Sequence, residues 1–238
     1  MKRNLIIAAA AGVAVLALIG AGGYIYFFSN LRTSPDTLGL STASPSATST
    51  STGTTALTGT WNIAAGSQVG YRVQELFVGE NSKHQAVART SDVTGSLTVS
   101  GDASGYQVSG ITLTANLNSL HSVDQVAGRN VSQRDGVVAR QLATSQFPNA
   151  TFAATSASAP GTLTSAQVDI TAPGKVTIHG VTRDVTIAAK AQVVGDKLEI
   201  AGTLTISMTD YGVSPPQAPF VTVDPTATIE FDLFLTKG

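Results

Sequence analysis

No cysteine occurs in the 238 residues of this chain, which excludes a disulfide framework, thiolate catalysis and any Cys-ligated metal. Charge is scarce too, at 12% of residues with a formal net charge of −1, so there is no basic field to hold nucleic acid. Aromatic residues make up 6%, with one tryptophan. The three histidines, His84, His121 and His179, show neither His-x-x-x-His nor Glu-x-x-His spacing. A metal site would need all three to converge from distant segments. Serine is plentiful, but no Gly-x-Ser-x-Gly elbow presents one as a nucleophile. Asp124, Asp135 and Asp184 each lie near a turn, where capping is the common role of aspartate. The sequence therefore gives no catalytic residue, no metal site and no resident cofactor.

What is present first is a long apolar run. Residues 5–28 carry no charge and follow Lys2 and Arg3. As a helix they would reach roughly 36 Å at about 1.5 Å per residue, enough to cross a bilayer with some tilt. The leading cations predict a cytoplasmic N-terminus and an exported C-terminal part. Tyr24, Tyr26, Phe27 and Phe28 stand at the far end, where a cleaved signal peptide would want small residues. Residues 1–32 are expected to form a transmembrane anchor or uncleaved signal, making the protein single-pass in the cell membrane with its C-terminal domain extracytoplasmic. Residues 33–58 contain 15 Ser or Thr among 26, with Pro35 and Pro45. So little apolar surface predicts a disordered linker, a stalk holding the domain on the order of 30 Å from the membrane.

From residue 59 to residue 238 the dominant pattern is period two. Leu198, Ile200, Gly202, Leu204, Ile206 and Met208 fall on every second position with Glu199, Thr203, Thr205 and Ser207 between them, and Ile229, Phe231, Leu233 and Leu235 do the same around Glu230 and Asp232. Strict alternation marks strands with one buried and one wet face, as in antiparallel sheets. Similar runs at Val69–Val73, Val93–Val99, 111–117 and 150–154 are separated by turn signals. Further strands are expected over 162–171, 176–178 and 185–189, with a turn at 180–184 and His179 on the wet face. A phase change near Ser109-Gly110 predicts a bulge. Residues 125–142 lose the alternation and carry Arg129, Arg134, Asp135 and Arg140, predicting a short helical or irregular excursion across one end. The fold class expected is all-β, an antiparallel barrel of about eight strands.

The motifs carry a resemblance. Gly59-Thr60-Trp61, the Val69, Tyr71, Val73 strand, Val93-Thr94-Gly95-Ser96-Leu97, Arg134-Asp135-Gly136 followed by Phe147-Pro148-Asn149-Ala150-Thr151-Phe152, and His179-Gly180-Val181-Thr182-Arg183-Asp184-Val185 occur in one order. Together they resemble the YceI-like family of bacterial polyisoprenoid-binding, lipocalin-like domains over 59–238. The chain differs in having Val137-Val138 and Ala143-Thr144, where family members often carry His-Leu and Asp-Phe pairs. The resemblance implies a barrel around an elongated apolar cavity holding an isoprenoid or similar amphiphilic chain; joined to the N-terminal run, it gives the expectation of a non-catalytic, membrane-anchored lipid-binding barrel on the outer side of a bacterial cytoplasmic membrane. The periodicity alone leaves a hollow and a side-chain-filled barrel equally open.

Apolar-phase residues chosen as lining candidates are Tyr71, Leu97, Leu113, Phe152, Leu204, Ile206, Ile229 and Phe231. Arg129 and Arg134 are candidates for a polar or phosphorylated headgroup, with a local ion pair or cap as the simpler reading of Arg134-Asp135. The partners expected are an amphiphilic lipid and, through the N-terminal run, the membrane; a homodimer is compatible with the sequence. The alternative function is a cell-envelope structural or protein-interaction domain with a filled barrel.

Overall fold

The computed structural model describes residues 32–41, 57–102, 105–157 and 167–238. Fourteen strands occur in this order: β1 Arg32–Thr33, β2 Gly59–Ile63, β3 Gln68–Phe77, β4 His84–Thr90, β5 Val93–Asp102, β6 Gly105–Asn116, β7 His121–Ser122, β8 Gln125–Val126, β9 Asn149–Ala157, β10 Val168–Ile178, β11 Val181–Val194, β12 Lys197–Ser207, β13 Gln217–Ala218 and β14 Val221–Lys237. One α-helix, α1 Gln133–Gln141, lies between β8 and β9.

All pairings are antiparallel, and eight strands close a ring in the order β12-β11-β10-β9-β6-β5-β2-β14 and back to β12. The seam is the pair of long alternating C-terminal strands, matched from Leu198↔Leu235 to Ser207↔Thr226. β3, β4 and β7 extend the wall beyond β14. The core follows the pattern: Trp61, Leu97, Val99, Phe152, Ile170, Leu198, Phe231, Leu233 and Leu235 are buried together. Gly202 is opposite Phe231, and a Cβ there would stand 2.8 Å from the Phe231 ring. The missing side chain is the space into which the ring packs.

The expected bulge falls where predicted, with a register shift opposite Gly110, whose φ is 60°. Two expectations shift. The residues read as two strands, 162–171 and 176–178, are one strand where described, since β10 runs unbroken from Val168 through Pro173 and Gly174 to Ile178. The hairpin turn is His179-Gly180, both at positive φ, as a two-residue loop requires, and Val181–Asp184 already belong to β11. His179 is thus not on a wet strand face. It is half-buried, its Nδ1 lies 3.2 Å from the Tyr211 carbonyl oxygen, and it meets the Phe147 ring edge-on.

The expected stalk also changes. Residues 32–41 lie against the outside of the barrel rather than extending from it. β1 pairs with β8. Ser34 Oγ donates to the Gln85 carbonyl, Arg72 donates to the Pro35 carbonyl, Leu38 N–H donates to Glu230 Oε2, and Ser41 N–H donates to Glu199 Oε1. The composition is that of a coil, but mainchain groups need no apolar side chain to bind a charged wall. The rest of that stretch up to Ala56 lies outside the described residues, as does the expected span over 5–28. Among the described residues no helix is long and apolar enough to cross a membrane.

Candidate functional site

Inside the ring is a cavity of about 810 Å³. Its walls are inward-phase residues of β3, β6, β9, β12 and β14, and one end is covered by Val131, Val137, Val138 and Leu142 from around α1. The β3–β4 and β13–β14 turns border that end, with Val78 N–H donating to the Phe220 carbonyl. A second cavity of about 90 Å³ lies toward the other end, between Ile63, Val99, Val108, Leu198 and Leu235. The barrel is packed at one end and hollow at the other.

Tyr71, Leu113, Phe152, Leu204, Ile206, Ile229 and Phe231 all line the main cavity. Leu97 does not. It is buried and faces the small cavity at the packed end, where its strand pairs with β2 and Leu97 stands opposite Trp61. The hollow end also takes Phe77 and Met208, which continue the inward phases of β3 and β12, and Pro216 and Phe220, which lie outside the strands where alternation could not single them out.

One corner of this apolar space is charged. Glu75 follows Tyr71 and Val73 in inward phase on β3, and it meets Arg134 from α1 at 2.6 Å. Arg134 also donates to Asp124 at 2.7 Å, and His84 Nε2 lies 2.7 Å from the other Asp124 oxygen. The Val87 N–H donates to Asp124 as well. Burial pushes the Asp124 carboxyl up, but the hydrogen bonds from His84, Arg134 and Val87 outweigh it and hold the group down at about 2. Burial raises the Tyr71 phenol well above its usual range, with Arg134 the main opposing charge. Glu75, His84 and Asp124 could offer three metal ligands, but the Arg134 guanidinium already occupies both carboxylates. The set is a closed ion-pair network, which a cation would have to break.

The two headgroup candidates separate accordingly. Arg134 lines the cavity but is spent on Asp124 and Glu75, while the neighbouring Asp135 accepts from both Ser122 N–H and Ser122 Oγ. Arg129 stacks its guanidinium 3.9 Å from the centre of the Phe77 ring, with Glu80 at 3.9 Å. Glu75 was missed from sequence, while His84 was weighed there only as a metal ligand and Asp124 only as a turn cap. Glu75 gave a usable signal, a charge in phase with Tyr71, Val73 and Phe77; His84 begins its strand and Asp124 lies in the loop between β7 and β8, where no period applies.

A closed antiparallel barrel, filled at one end and hollow and apolar at the other, has room inside for one small ligand. The YceI-like domain family matches residues 61–235, and the chain belongs to that family. Among solved structures it is similar to a polyisoprenoid binding domain from Saccharophagus degradans implicated in plant cell wall breakdown, at 15% identity and a TM-score of 0.53, over 76% of this chain and 99% of that one. It is also similar to BcnA of Burkholderia cenocepacia, at 18% identity and a TM-score of 0.46, over 69% and 95%. The YceI protein of Campylobacter jejuni matches at 15% identity and a TM-score of 0.43, over 67% and 92%. No curated protein matches the chain.

Proposed function

We propose that this protein is a membrane-anchored, extracytoplasmic lipid carrier that holds the chain of an isoprenoid or similar amphiphile in the barrel, without catalysing a reaction on it. The observation that carries the reading is the 810 Å³ apolar cavity, within the range of about 300–1,000 Å³ common to small-ligand sites. Burial of a ten-carbon tail contributes about 8 kcal/mol at roughly 0.8 kcal/mol per CH₂, which opposes an association cost of about 4–15 kcal/mol. A longer chain is therefore favoured over a short one. The polar corner supports binding rather than chemistry, since Glu75 and Asp124 are both bonded to Arg134, and Asp124 also to His84, instead of presenting a free base or nucleophile. The domain named for polyisoprenoid binding in Saccharophagus degradans supports the ligand class. Membrane attachment rests on the uncharged run over 5–28 behind Lys2 and Arg3.

The test is native mass spectrometry of the full chain released from detergent, with organic extraction of the same sample. One apolar lipid per chain is expected. It should be lost in Leu204→Glu and Ile229→Glu, two half-buried lining positions. A clean apo mass that takes up no added polyprenyl or quinone lipid would instead establish a structural or interaction domain.

A further inference from the structure

The described chain enters the domain at the hollow end of the barrel. β1 pairs Arg32 with Val126. The turn after Val126, closed by Arg129 N–H to the Val126 carbonyl, carries the guanidinium that lies over Phe77. Phe77 precedes Val78, which is bonded to Phe220. Among the described residues, Val78 and Phe220 are the large apolar side chains left exposed, at 69% and 58%. They stand side by side on two turns at the cavity rim, close to where the chain arrives.

The apolar run ends at Phe28, four residues before Arg32. Four residues reach at most about 14 Å at about 3.6 Å each. The interfacial layer of a bilayer is itself about 5–8 Å deep on each side. Because residues 32–41 are bonded along the wall, the Ser/Thr-rich stretch lies after the attachment point and cannot act as a spacer before it.

We infer that the cavity mouth is held against the bilayer surface, with Val78 and Phe220 seated among the lipid headgroups and the packed end pointing away. This rests on the membrane-anchored reading above. The occupant is a lipid surface, because a tether this short leaves little room between the rim and the membrane. Arg129, stacked at the same rim, brings a cation to headgroup level. A ligand would then pass from the bilayer into the cavity without crossing open water.

The chain lacks cysteine, so single thiols report one site each. Val78→Cys, Phe220→Cys and Asp196→Cys, the last exposed in the β11–β12 turn at the packed end, would be labelled with bimane. The full-length variants would be reconstituted into phosphatidylcholine–phosphatidylglycerol vesicles containing doxyl-labelled lipid. Quenching severalfold greater at 78 and 220 than at 196 is the expected result. Flotation of the same samples separates the two layers of the reading. Chains that do not float with the vesicles overturn both the anchor and the orientation. Chains that float but quench equally at all three sites overturn the orientation alone.

Discussion

Two buried charge networks flank the same wall of this barrel, and they are closed in different ways. At the mouth, Glu75, Asp124, His84 and Arg134 satisfy one another through side chains from three elements and a loop. On the outside, Arg72 and Arg89 both bond to Glu230, and Gln192 bonds to Glu199. Both glutamates are fully buried, yet they stand on the outward phase of their strands. They are buried because residues 32–41 cover them and supply mainchain donors and acceptors. The first network is part of the barrel; the second is completed by a segment outside it. The outer network also keeps one carboxylate too many: Asp232 Oδ1 is buried with no hydrogen-bond partner among the described residues. The difference teaches that buried charge at the mouth belongs to global stability, and buried charge under the strap to a local docking equilibrium.

The largest expected effect comes from breaking the mouth. Arg134→Leu leaves two buried carboxylates without their cation and should cost about 3–5 kcal/mol in urea unfolding of the whole barrel. The variant should also flatten the acid dependence of stability. Asp124 is held below its ordinary value of 3.8, at about 2, so its contribution is present above pH 3.8 and lost as pH falls toward 2. At roughly 1.4 kcal/mol per pK unit that contribution is on the order of 2 kcal/mol. An unchanged acid limb in Arg134→Leu would assign the acid sensitivity elsewhere.

Loosening the strap should do less, and do it locally. Leu38→Pro removes the N–H donated to Glu230 at 3.1 Å, a loss of about 1–3 kcal/mol for a buried acceptor. Hydrogen exchange should accelerate over residues 32–41 while the β12–β14 seam keeps its protection. If the seam loses protection to the same degree, the two networks form one cooperative unit and the comparison fails.

The smallest effect has the opposite sign. Burial, with Glu199 nearby, raises the Asp232 carboxyl to about 6. Its folded state binds a proton more tightly than its unfolded state, so the stability it lends is present below pH 3.8 and lost as pH rises through 6. Asp232→Asn should therefore stabilise the protein at pH 7.5 by about 1 kcal/mol, well under the roughly 3 kcal/mol of the full shift because the side chain is only half-buried and partly screened by solvent, and by nothing measurable at pH 3.5, as read from paired thermal melts.

The barrel itself was legible in the residues because nearly every strand buries one face and wets the other. Leu204, Ile206, Ile229 and Phe231 announce their inward phase directly. Phase, however, does not tell height along the barrel, and Leu97 shares its phase with cavity residues while facing the packed end. The strap was illegible for another reason. Its hold on the wall runs through N–H and C=O groups that every residue carries, so composition pointed to a coil. The converse signal was available on the wall, where Arg72, Arg89, Glu199 and Glu230 crowd the supposedly wet face of paired strands. At the mouth, Arg134 and Asp135 were legible as an ion pair or cap, but their partners Glu75, Asp124 and Ser122 come from segments that only the fold brings together.

The docked strap also changes what the following low-complexity stretch is. Residues 42–56 join two fixed points of one domain, since Ser41 is bonded to Glu199 and Leu57 is buried and accepts from the Trp61 indole. Such a connection is a tolerant place in a gene. Doubling its length costs only about 0.6 kcal/mol in closure entropy. Insertions or deletions within it would leave the barrel in place relative to Arg32, because both of its ends are fixed. For the same reason, a tag or reporter placed there would leave both attachment points in register.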